Sequence, residues 1–394
     1  MAKDEVVICH PVRTAIGTFG GALKQVSATE LGTTVVRETL SRSKLNAASI
    51  DAAVLGNVVQ AGNRMNPARQ AAIGGGLTVE TPAYTVNRVC GSGAQAIANA
   101  AQEIWSGYSG AVIAGGMENM DMAPYLMGGG RWGYRMGDAQ LYDSMLRDGL
   151  NDAFSGEHSG WHTEDLVNKS GLTRDAQDRW AERSQKRFSS AQAAGHFKDE
   201  IVGIEIKTKT GPVVFDKDEA NRPDTTLEKL AKLKPAFRKD GTLTAGNSPG
   251  LNSGASAMIV ASRGFTETHK LEPWARLHAY AVSGVEPGMF GIAPVFAVRQ
   301  LLERTGWKLG DVERIEINEA YAAVPLAVMK ELGLSEDIVN VEGGAVAHGH
   351  PIGATGAVLT TRLLHSMRRD KLKRGIVTLC IGGGQGIALA LESI

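Results

Sequence analysis

The sequence predicts an α/β fold made of two similar halves, and two observations support this prediction. Gly110-Ala-Val-Ile-Ala-Gly-Gly116 returns 265 residues later as Gly375-Ile-Val-Thr-Leu-Cys-Ile-Gly-Gly383, and Lys44-Leu45 returns 264 residues later as Lys308-Leu309. A nearly constant offset is what an internal duplication produces. In each half, short apolar runs also alternate with helical segments rich in small residues, which is typical of a mostly parallel sheet covered by helices.

The elements follow the same order in both halves. A helical pattern ends at Lys44-Leu45, and a buried strand follows at Ala53-Val-Leu-Gly-Asn57. In the second half, Ile315-Glu-Ile-Asn318 is the corresponding strand after Lys308-Leu309. A small-residue helix and a second buried strand come next in each half, and the glycine-bounded runs described above are those second strands.

A segment of different character interrupts the first half. Glycine and methionine surround Arg131 and Trp132, and charged helical sequence follows, with Thr173 as its predicted N-cap. Residues 251–262 return to small and β-branched residues, which predicts that they rejoin the first sheet. We therefore predict an N-terminal half from residues 1–120 and 244–268, an inserted loop domain at 121–243, and a C-terminal half at 269–394.

The composition excludes several function classes. The 42 Lys+Arg residues balance the 42 Asp+Glu residues, so no net field draws the protein to nucleic acid or to an anionic membrane. There is no apolar run of about 18 residues that would predict a transmembrane helix. The 48 glycines among 394 residues indicate many tight turns and close backbone approaches.

The two ends of the sequence and its cysteines predict a cytoplasmic protein without a metal site. Met1-Ala-Lys-Asp-Glu5 does not begin a signal peptide, and Glu392-Ser-Ile394 is not a peroxisomal address. Cys9, Cys90 and Cys380 are too few for a disulfide framework, and their spacing matches no zinc pattern.

Cys90 is the first candidate for chemistry. It lies in Asn87-Arg-Val-Cys-Gly-Ser-Gly93, between a strand pattern and a helix. A thiol in front of a helix N-terminus is expected to favour the thiolate, and small neighbours leave it approachable. Taken alone, the segment fits a buried structural cysteine at least as well. The apolar positions of the helix have helical spacing: Ala94, Ile97, Ala98, Ala101 and Ile104.

Three further candidates lie in glycine-rich loops or at a strand end. His350 precedes Pro351, which restricts the histidine backbone and aims the imidazole. Cys380 follows a buried strand and begins Cys-Ile-Gly-Gly-Gly-Gln-Gly386, where backbone N–H groups can face an oxyanion. Asn318 ends a strand, where α/β sheets gather ligands. The glycine loops lack the G-x-G-x-x-G spacing of a dinucleotide site.

Together, four stretches resemble the signature blocks of the thiolase family: Cys90-Gly-Ser-Gly93, Asn318-Glu-Ala320, Gly349-His-Pro351 and Cys380-Ile-Gly382. The resemblance covers essentially the whole chain. It implies a five-layered αβαβα fold of two duplicated halves with an inserted loop domain, which agrees with the repeat. It also implies an acyltransferase that makes or cleaves 3-ketoacyl-CoA, with coenzyme A and acyl-CoA as substrates and no permanently bound cofactor.

The resemblance implies a role for each candidate. Cys90 would be the nucleophile that accepts the acyl group, and His350 would be its base. Cys380 would exchange a proton with C2 of the acetyl thioester. Asn318 would hold a water that stabilises the enolate oxygen together with His350, and the backbone N–H groups of Cys90 and Gly382 would stabilise the tetrahedral intermediate. The kinetics would be ping-pong.

For coenzyme A, the resemblance implies contacts from Arg222, Phe237 and His158, although Arg222 also fits a salt-bridged surface arginine. Pro249 stands where family members usually carry a serine that bonds the pantetheine arm. Proline has neither a hydroxyl nor an N–H, so the neighbouring Ser248 is expected to replace that serine.

Three departures from the family pattern predict a polar acyl pocket. Ser159 replaces a common methionine, Tyr321 a common phenylalanine, and His348 an aliphatic residue. Acetoacetyl-CoA is the first expected substrate. A longer or functionalised 3-ketoacyl-CoA, such as ketoadipyl-CoA, is the alternative that these residues favour.

Other interpretations are a non-catalytic thiolase-like binding protein and a decarboxylating ketoacyl synthase. The synthases pair one cysteine with two histidines, or with a histidine and an asparagine, so Cys380 argues against them. A Cys90–Cys380 disulfide is a further alternative, which a reducing cytosol disfavours.

The residues from Asp121 to Gln140 resemble the loop that family members use for tetramer contacts. This stretch contains Tyr125, Trp132 and Tyr134. We therefore predict a homo-oligomer, a tetramer or a dimer.

Overall fold

A computed structural model describes residues 4–209 and 211–394. The β-strands are β1 (Val6–Thr14), β2 (Gly17–Thr18), β3 (Ala52–Gly56), β4 (Ala83–Val86), β5 (Ala111–Asn119), β6 (Tyr125–Leu126), β7 (Tyr142–Asp143), β8 (Ile201–Val202), β9 (Ile204–Thr208), β10 (Gly211–Phe215), β11 (Asn252–Ser262), β12 (Ala275–Gly284), β13 (Arg314–Ile317), β14 (Arg374–Ile381) and β15 (Gln385–Ser393).

The α-helices are α1 (Ala28–Ser43), α2 (Pro67–Gly74), α3 (Ser92–Trp105), α4 (Ser159–Ser170), α5 (Arg174–Ala193), α6 (Leu227–Ala231), α7 (Arg263–His269), α8 (Ala293–Thr305), α9 (Ala323–Leu332), α10 (Ala345–His348) and α11 (Thr355–Asp370). Short 3₁₀ turns lie at Ala47–Ser49, Pro287–Ile292, Leu309–Asp311 and Glu336–Ile338, and a π-helical turn lies at Met145–Leu150.

The main strands form two half-sheets with corresponding strand orders, and the first has β4 as an additional edge strand. The first has the order β1-β11-β5-β3-β4, and the second has the order β12-β15-β14-β13. In each half the innermost pairs are antiparallel, whereas β3 runs parallel to β5 and β13 runs parallel to β14. The half-sheets meet where β1 pairs with β12. This correspondence confirms the duplicated α/β architecture predicted from the repeat. The expectation of a mostly parallel sheet is wrong, because β11 and β15 each run antiparallel to both neighbouring strands of their half-sheet.

Helices complete a five-layered arrangement. Helices α1 and α2 cover the outer face of the first half-sheet, and α8 covers that of the second, with α9 packed beside it. Helices α3 and α11 lie in the middle layer and pack against each other and against strands of both halves. Their apolar faces fill the central core, to which α3 contributes small residues such as Ala94 and Ala101 and α11 contributes Leu363 and Met367.

The chain between β5 and β11 carries two long helices, α4 and α5. Thr173 caps α5 by accepting a hydrogen bond from the Ala176 N–H, as predicted. Strand β11 pairs with both β1 and β5, so the chain rejoins the first half-sheet as expected. The domain boundaries given above stay a prediction. One detail differs, because Cys380 lies within β14 rather than after it.

Candidate active site

Cys90 and His350 line the same cavity, and the helices that follow them, α3 and α11, are in contact. Two glycines bring these helix N-termini close together. A Cβ added to Gly356 would lie 2.3 Å from the Ala94 nitrogen, and one added to Gly93 would lie 2.7 Å from the Ala357 nitrogen. Any larger side chain would therefore push the helices apart.

The turn before Cys90 is strained and held by polar contacts. Val89 has φ of 45°, a left-handed conformation that is rare for a β-branched residue. The Asn87 side chain accepts a hydrogen bond from the Val89 N–H at 2.9 Å. The Ser92 hydroxyl accepts one from the Arg88 N–H at 2.8 Å and donates one to the Val89 carbonyl at 2.7 Å. These hydrogen bonds hold the turn in its strained conformation, as expected where backbone strain persists at a functional site.

The pKa of Cys90 corrects one expectation. Burial raises the pKa of its thiol to about 11, and the nearby carboxyl of Glu118 adds to this effect. The expected preference for thiolate in front of a helix N-terminus is therefore wrong, because desolvation outweighs the favourable backbone dipoles. Such a thiol needs a base before it can act as a nucleophile.

Two backbone N–H groups point at the sulfur of Cys90. The N–H of Gly382 and that of Cys90 itself form hydrogen bonds to the thiolate and oppose the rise in its pKa. They belong to opposite halves of the fold, since Gly382 follows β14. Paired backbone donors next to a nucleophile are what a tetrahedral oxyanion requires.

His350 is fixed in one orientation by its neighbours. Its backbone N–H donates a hydrogen bond to the Asn252 side chain at 2.8 Å, and its ring Nδ1 lies 2.7 Å from the Thr355 hydroxyl. That hydroxyl donates its proton to the Pro351 carbonyl at 2.8 Å, so it accepts from Nδ1–H. The unprotonated Nε2 is then left as a base. Burial lowers the pKa of His350 to about 4, which keeps the ring neutral near pH 7.

Asn318 lies next to His350, and Cys380 lies near Cys90. Asn318 Nδ2 is 3.4 Å from His350 Nε2, and no hydrogen-bond partner of its buried Oδ1 lies within the described part of the chain. Cys380 is fully buried, and burial together with the charge of Cys90 raises its pKa well above the usual value. All three cysteines are free thiols. The structure thus brings together all five residues that the sequence proposed for catalysis.

A cavity of about 710 Å³ leads to Cys90. Of the residues expected to contact coenzyme A, His158, Phe237 and Ser248 line it. The rings of His158 and Phe237 stack at 4.8 Å, and Gly160 leaves the room that Phe237 occupies. The buried Ser248 hydroxyl has no hydrogen-bond partner among residues 4–209 and 211–394, so it is available to a ligand.

Arg222 does not line this cavity. It is exposed, and its guanidinium donates to the Ala245 carbonyl at 3.3 Å. Its predicted contact with the nucleotide end of coenzyme A stays a prediction.

The two polar departures singled out in the acyl pocket contact each other. Ser159 Oγ and Tyr321 Oη lie 2.8 Å apart, and both residues line the cavity. His348, the third departure, is fully buried away from it, next to Phe188. Neither ring nitrogen of His348 has a hydrogen-bond partner in the described chain, and burial and nearby arginines lower its pKa well below the usual value.

Two buried carboxylates that organise the site were missed in the sequence. Glu118 accepts hydrogen bonds from the N–H groups of Val58, Val59 and Gly353, and thereby ties the loop after His350 to the first half. Burial raises its pKa to about 7.

Glu319, the residue after Asn318, is the second missed carboxylate. It accepts hydrogen bonds from Trp180 and Ser184 on α5 and from the Val346 N–H. It therefore fastens the inserted segment to the loop that carries His350. An acidic residue inside an apolar stretch was the available signal for both carboxylates, because a buried charge requires several donors.

The described part of the chain contains neither a metal-binding cluster nor a membrane-spanning helix. Within the described residues, no group of three or more His, Cys, Asp or Glu side chains is arranged to hold a metal ion. The helices of the described chain are all too short or too polar to cross a bilayer.

Comparison with known families gives two matches that together span nearly the whole chain. Residues 6–264 match the family described as thiolase, N-terminal domain, and residues 271–393 match the family described as thiolase, C-terminal domain.

Similar proteins and structures agree with these matches. The chain is 50% identical over 389 residues to an acetyl-CoA acetyltransferase of Pseudomonas aeruginosa, covering 98% of this chain and 99% of the relative. It is 46% identical to the Escherichia coli acetyl-CoA acetyltransferase over 98% and 99% of the two chains. The crystal structure of the Bacillus anthracis acetyl-CoA acetyltransferase superposes over the full length of both chains with a TM-score of 0.97 and 44% identity. Human mitochondrial 3-ketoacyl-CoA thiolase gives a TM-score of 0.97 with 41% identity over 99% of both chains.

Proposed function

The chain belongs to the thiolase family and is thus an acyltransferase, and we propose that it interconverts acetoacetyl-CoA plus coenzyme A with two molecules of acetyl-CoA. The observation that carries this proposal is the meeting of Cys90, His350 and the Gly382 N–H in one cavity, with Cys380 and Asn318 beside them. The names of the similar acetyl-CoA acetyltransferases support this substrate.

In the cleavage direction, His350 Nε2 accepts the proton of the Cys90 thiol. The thiolate attacks C3 of acetoacetyl-CoA, and the N–H groups of Cys90 and Gly382 stabilise the resulting oxyanion. The C2–C3 bond then breaks, which leaves an acetyl group on Cys90 and the electron pair on C2 as an enolate. The enolate oxygen is stabilised by the protonated His350 and by a water held by Asn318, and Cys380 donates its proton to C2 to give acetyl-CoA.

The second half-reaction restores the enzyme. A molecule of coenzyme A gives its thiol proton to the Cys380 thiolate, and its sulfur attacks the acetyl group on Cys90. A second acetyl-CoA forms when the Cys90 sulfur leaves and recovers its proton from His350. The two half-reactions share one site, so the kinetics are ping-pong. The opposite sequence is the condensation.

The contacts with coenzyme A follow from the lining of the cavity. Ser248 offers an unpaired hydroxyl to the amide groups of the pantetheine arm. It thereby takes the place of the serine that family members usually carry at the position of Pro249. The stacked rings of His158 and Phe237 form an apolar wall for that arm. Arg222 lies on the outer surface, where it would meet the nucleotide end.

The remaining expectations belong to this proposal. We place the protein in the cytoplasm as a homo-oligomer, a tetramer or a dimer, with acyl-CoA as its substrate and without nucleic-acid or membrane partners. Exposed aromatic and methionine side chains in the segment around Trp132 support contacts between subunits.

The first experiment is the thiolytic cleavage of acetoacetyl-CoA by coenzyme A, followed by the loss of enolate absorbance. We expect wild-type activity and its loss in Cys90→Ala and in Cys380→Ala. Cys9→Ala is the matched control, because Cys9 is buried in the outer core of the first half and does not line the cavity. Full activity in Cys90→Ala would overturn the proposal.

A further inference from the structure

Two hydroxyl groups face each other in the wall of the cavity. Ser159 is the first residue of α4, and Tyr321 lies just before α9, so the pair forms where these two helices begin. The 2.8 Å separation of their oxygens is that of a direct hydrogen bond. Both residues line the same cavity as Cys90 and His350.

The pair always has one proton left to donate. Each hydroxyl carries one proton, and one of the two protons is used in the mutual hydrogen bond. Whichever residue donates it, the other keeps a free O–H. In the described chain, no other hydrogen bond reaches either oxygen, so the spare proton is offered to the cavity.

The surroundings make this spare donor significant. Phe237 meets the Tyr321 ring edge to face at 5.7 Å, and Phe290 and Ala320 line the cavity nearby. Burial and the charges of the two catalytic cysteines raise the pKa of Tyr321, so the phenol stays a neutral hydroxyl. A donor left unpaired among apolar groups costs free energy, which a ligand oxygen can recover.

We propose that the Ser159–Tyr321 pair selects 3-ketoacyl-CoA substrates whose acyl chain carries a second, neutral oxygen, as a hydroxyl or a keto group. This inference rests on the proposed function and specifies its substrate class. The reacting carbonyl is already served by the backbone N–H groups of Cys90 and Gly382, so the pair is free for an oxygen farther along the chain. Acetoacetyl-CoA ends in a methyl group and leaves the pair unused.

The charges around the pair favour a neutral oxygen over a carboxylate. Burial lowers the pKa of His158, the residue before Ser159, so its ring is neutral. Arg147, the arginine in the cavity lining, stacks over the Tyr142 ring at 4.5 Å, and within the described residues no cationic side chain is hydrogen-bonded to Ser159 or Tyr321. A carboxylate at the pair would be buried without a cation, which is costly.

The test compares three thioesters in thiolysis by coenzyme A. These are 3-ketohexanoyl-CoA, 6-hydroxy-3-ketohexanoyl-CoA and 3-ketoadipyl-CoA, whose six-carbon acyl chains end in a methyl group, a hydroxyl-bearing carbon and a carboxylate. The measured quantity is the ratio of kcat/KM between two thioesters, because a general loss of activity cancels in that ratio. We expect the wild type to prefer the hydroxylated thioester over 3-ketohexanoyl-CoA by about tenfold or more.

The variants assign that preference to the pair. Ser159→Ala combined with Tyr321→Phe should bring the ratio close to one, because either single variant leaves one hydroxyl with a proton to donate. Tyr108→Phe is the matched control, since it removes an exposed phenol outside the cavity and should leave the ratio unchanged.

The outcomes separate this inference from the proposed function. Cleavage of all three thioesters with no preference for the hydroxylated one, or a preference that survives the double substitution, overturns the inference alone. The highest kcat/KM on 3-ketoadipyl-CoA also overturns it, because a carboxylate is then the recognised group. No cleavage of these thioesters or of acetoacetyl-CoA overturns the proposed function itself.

Discussion

The reactivity of Cys90 depends on two opposing effects at a single residue. Burial raises the pKa of its thiol to about 11, whereas the N–H groups of Gly382 and Cys90 favour the thiolate. The balance leaves a neutral thiol beside a neutral imidazole near pH 7. In the proposed mechanism, proton transfer from Cys90 to His350 is therefore a step of the reaction, whereas the resting protein holds both groups neutral.

This balance predicts how fast Cys90 is alkylated. The rate of its reaction with iodoacetamide should rise about tenfold per pH unit between pH 7 and pH 9.5, because the thiolate fraction rises in that way below the pKa. Mass spectrometry of the labelled peptide measures the rate, and Cys90→Ser is the control. A rate that is already constant near pH 7 would contradict the raised pKa.

His348 makes a second prediction at the residue scale. Its pKa is lowered in the folded protein, so below about pH 6.5 the unfolded chain binds a proton that the folded chain does not. The contribution of His348 to the free energy of unfolding is therefore fully present above pH 6.5. Below that pH, this contribution falls by about 1.4 kcal/mol per pH unit.

His348→Leu tests this effect. The leucine removes the titrating group and two unpaired buried nitrogens. We expect the variant to gain stability over the wild type as the pH is lowered from 6.5 to 5, measured as the free energy of unfolding in urea. Parallel pH dependences of the two proteins would show that His348 does not titrate between the folded and unfolded states.

At the scale of elements, the contact between α3 and α11 sets the distance between Cys90, the proposed nucleophile, and His350, its proposed base. The sequence predicted both helices as rich in small residues, and the repeat indicated that they are equivalent. It could not show that Gly93 and Gly356 face each other's helix, because that contact joins residues more than 260 positions apart. For the same reason the burial that raises the pKa of Cys90 could not be predicted.

Gly356→Ala tests this contact. The added Cβ meets the Ala94 backbone nitrogen at 2.3 Å, so the helices must separate. We expect a loss of about 2 kcal/mol in the free energy of unfolding, within the usual range for overpacking, and a lower kcat. Gly264→Ala in α7 is the matched control, because nothing lies within 4 Å of its added Cβ. Equal kcat in wild type and Gly356→Ala would contradict the positioning role of the contact.

At the scale of the whole molecule, the duplicated fold was predictable from two fixed offsets and four short motifs. The strand order and the five layers follow once two α/β halves share a central helical layer. The hydrogen bonds to Glu319 were not predictable, because their donors lie in two other segments of the chain, α5 and residues 340–346. The position of Arg222 outside the cavity was not predictable either, because the neighbouring sequence gives no measure of its distance from the cavity.

The oligomeric state is a prediction at this scale. Trp132 is 88% exposed and Met136 is 95% exposed, which is unusual for such large apolar side chains. We expect the mass of a tetramer by light scattering, and a smaller assembly after Trp132→Ser together with Met136→Ser. Val213→Ser, an exposed apolar change on β10, is the control. A monomeric wild type would contradict the prediction.

The place of β15 in the sheet has a consequence for biosynthesis. This strand pairs with both β12 and β14, yet it leaves the ribosome after every other strand described here. Until it inserts, β14 cannot be anchored to β12, and the loop that carries Gly382 has no fixed place beside Cys90. Until β15 inserts, the proposed nucleophile Cys90 is therefore exposed on a chain in which the second proposed oxyanion donor has no fixed position.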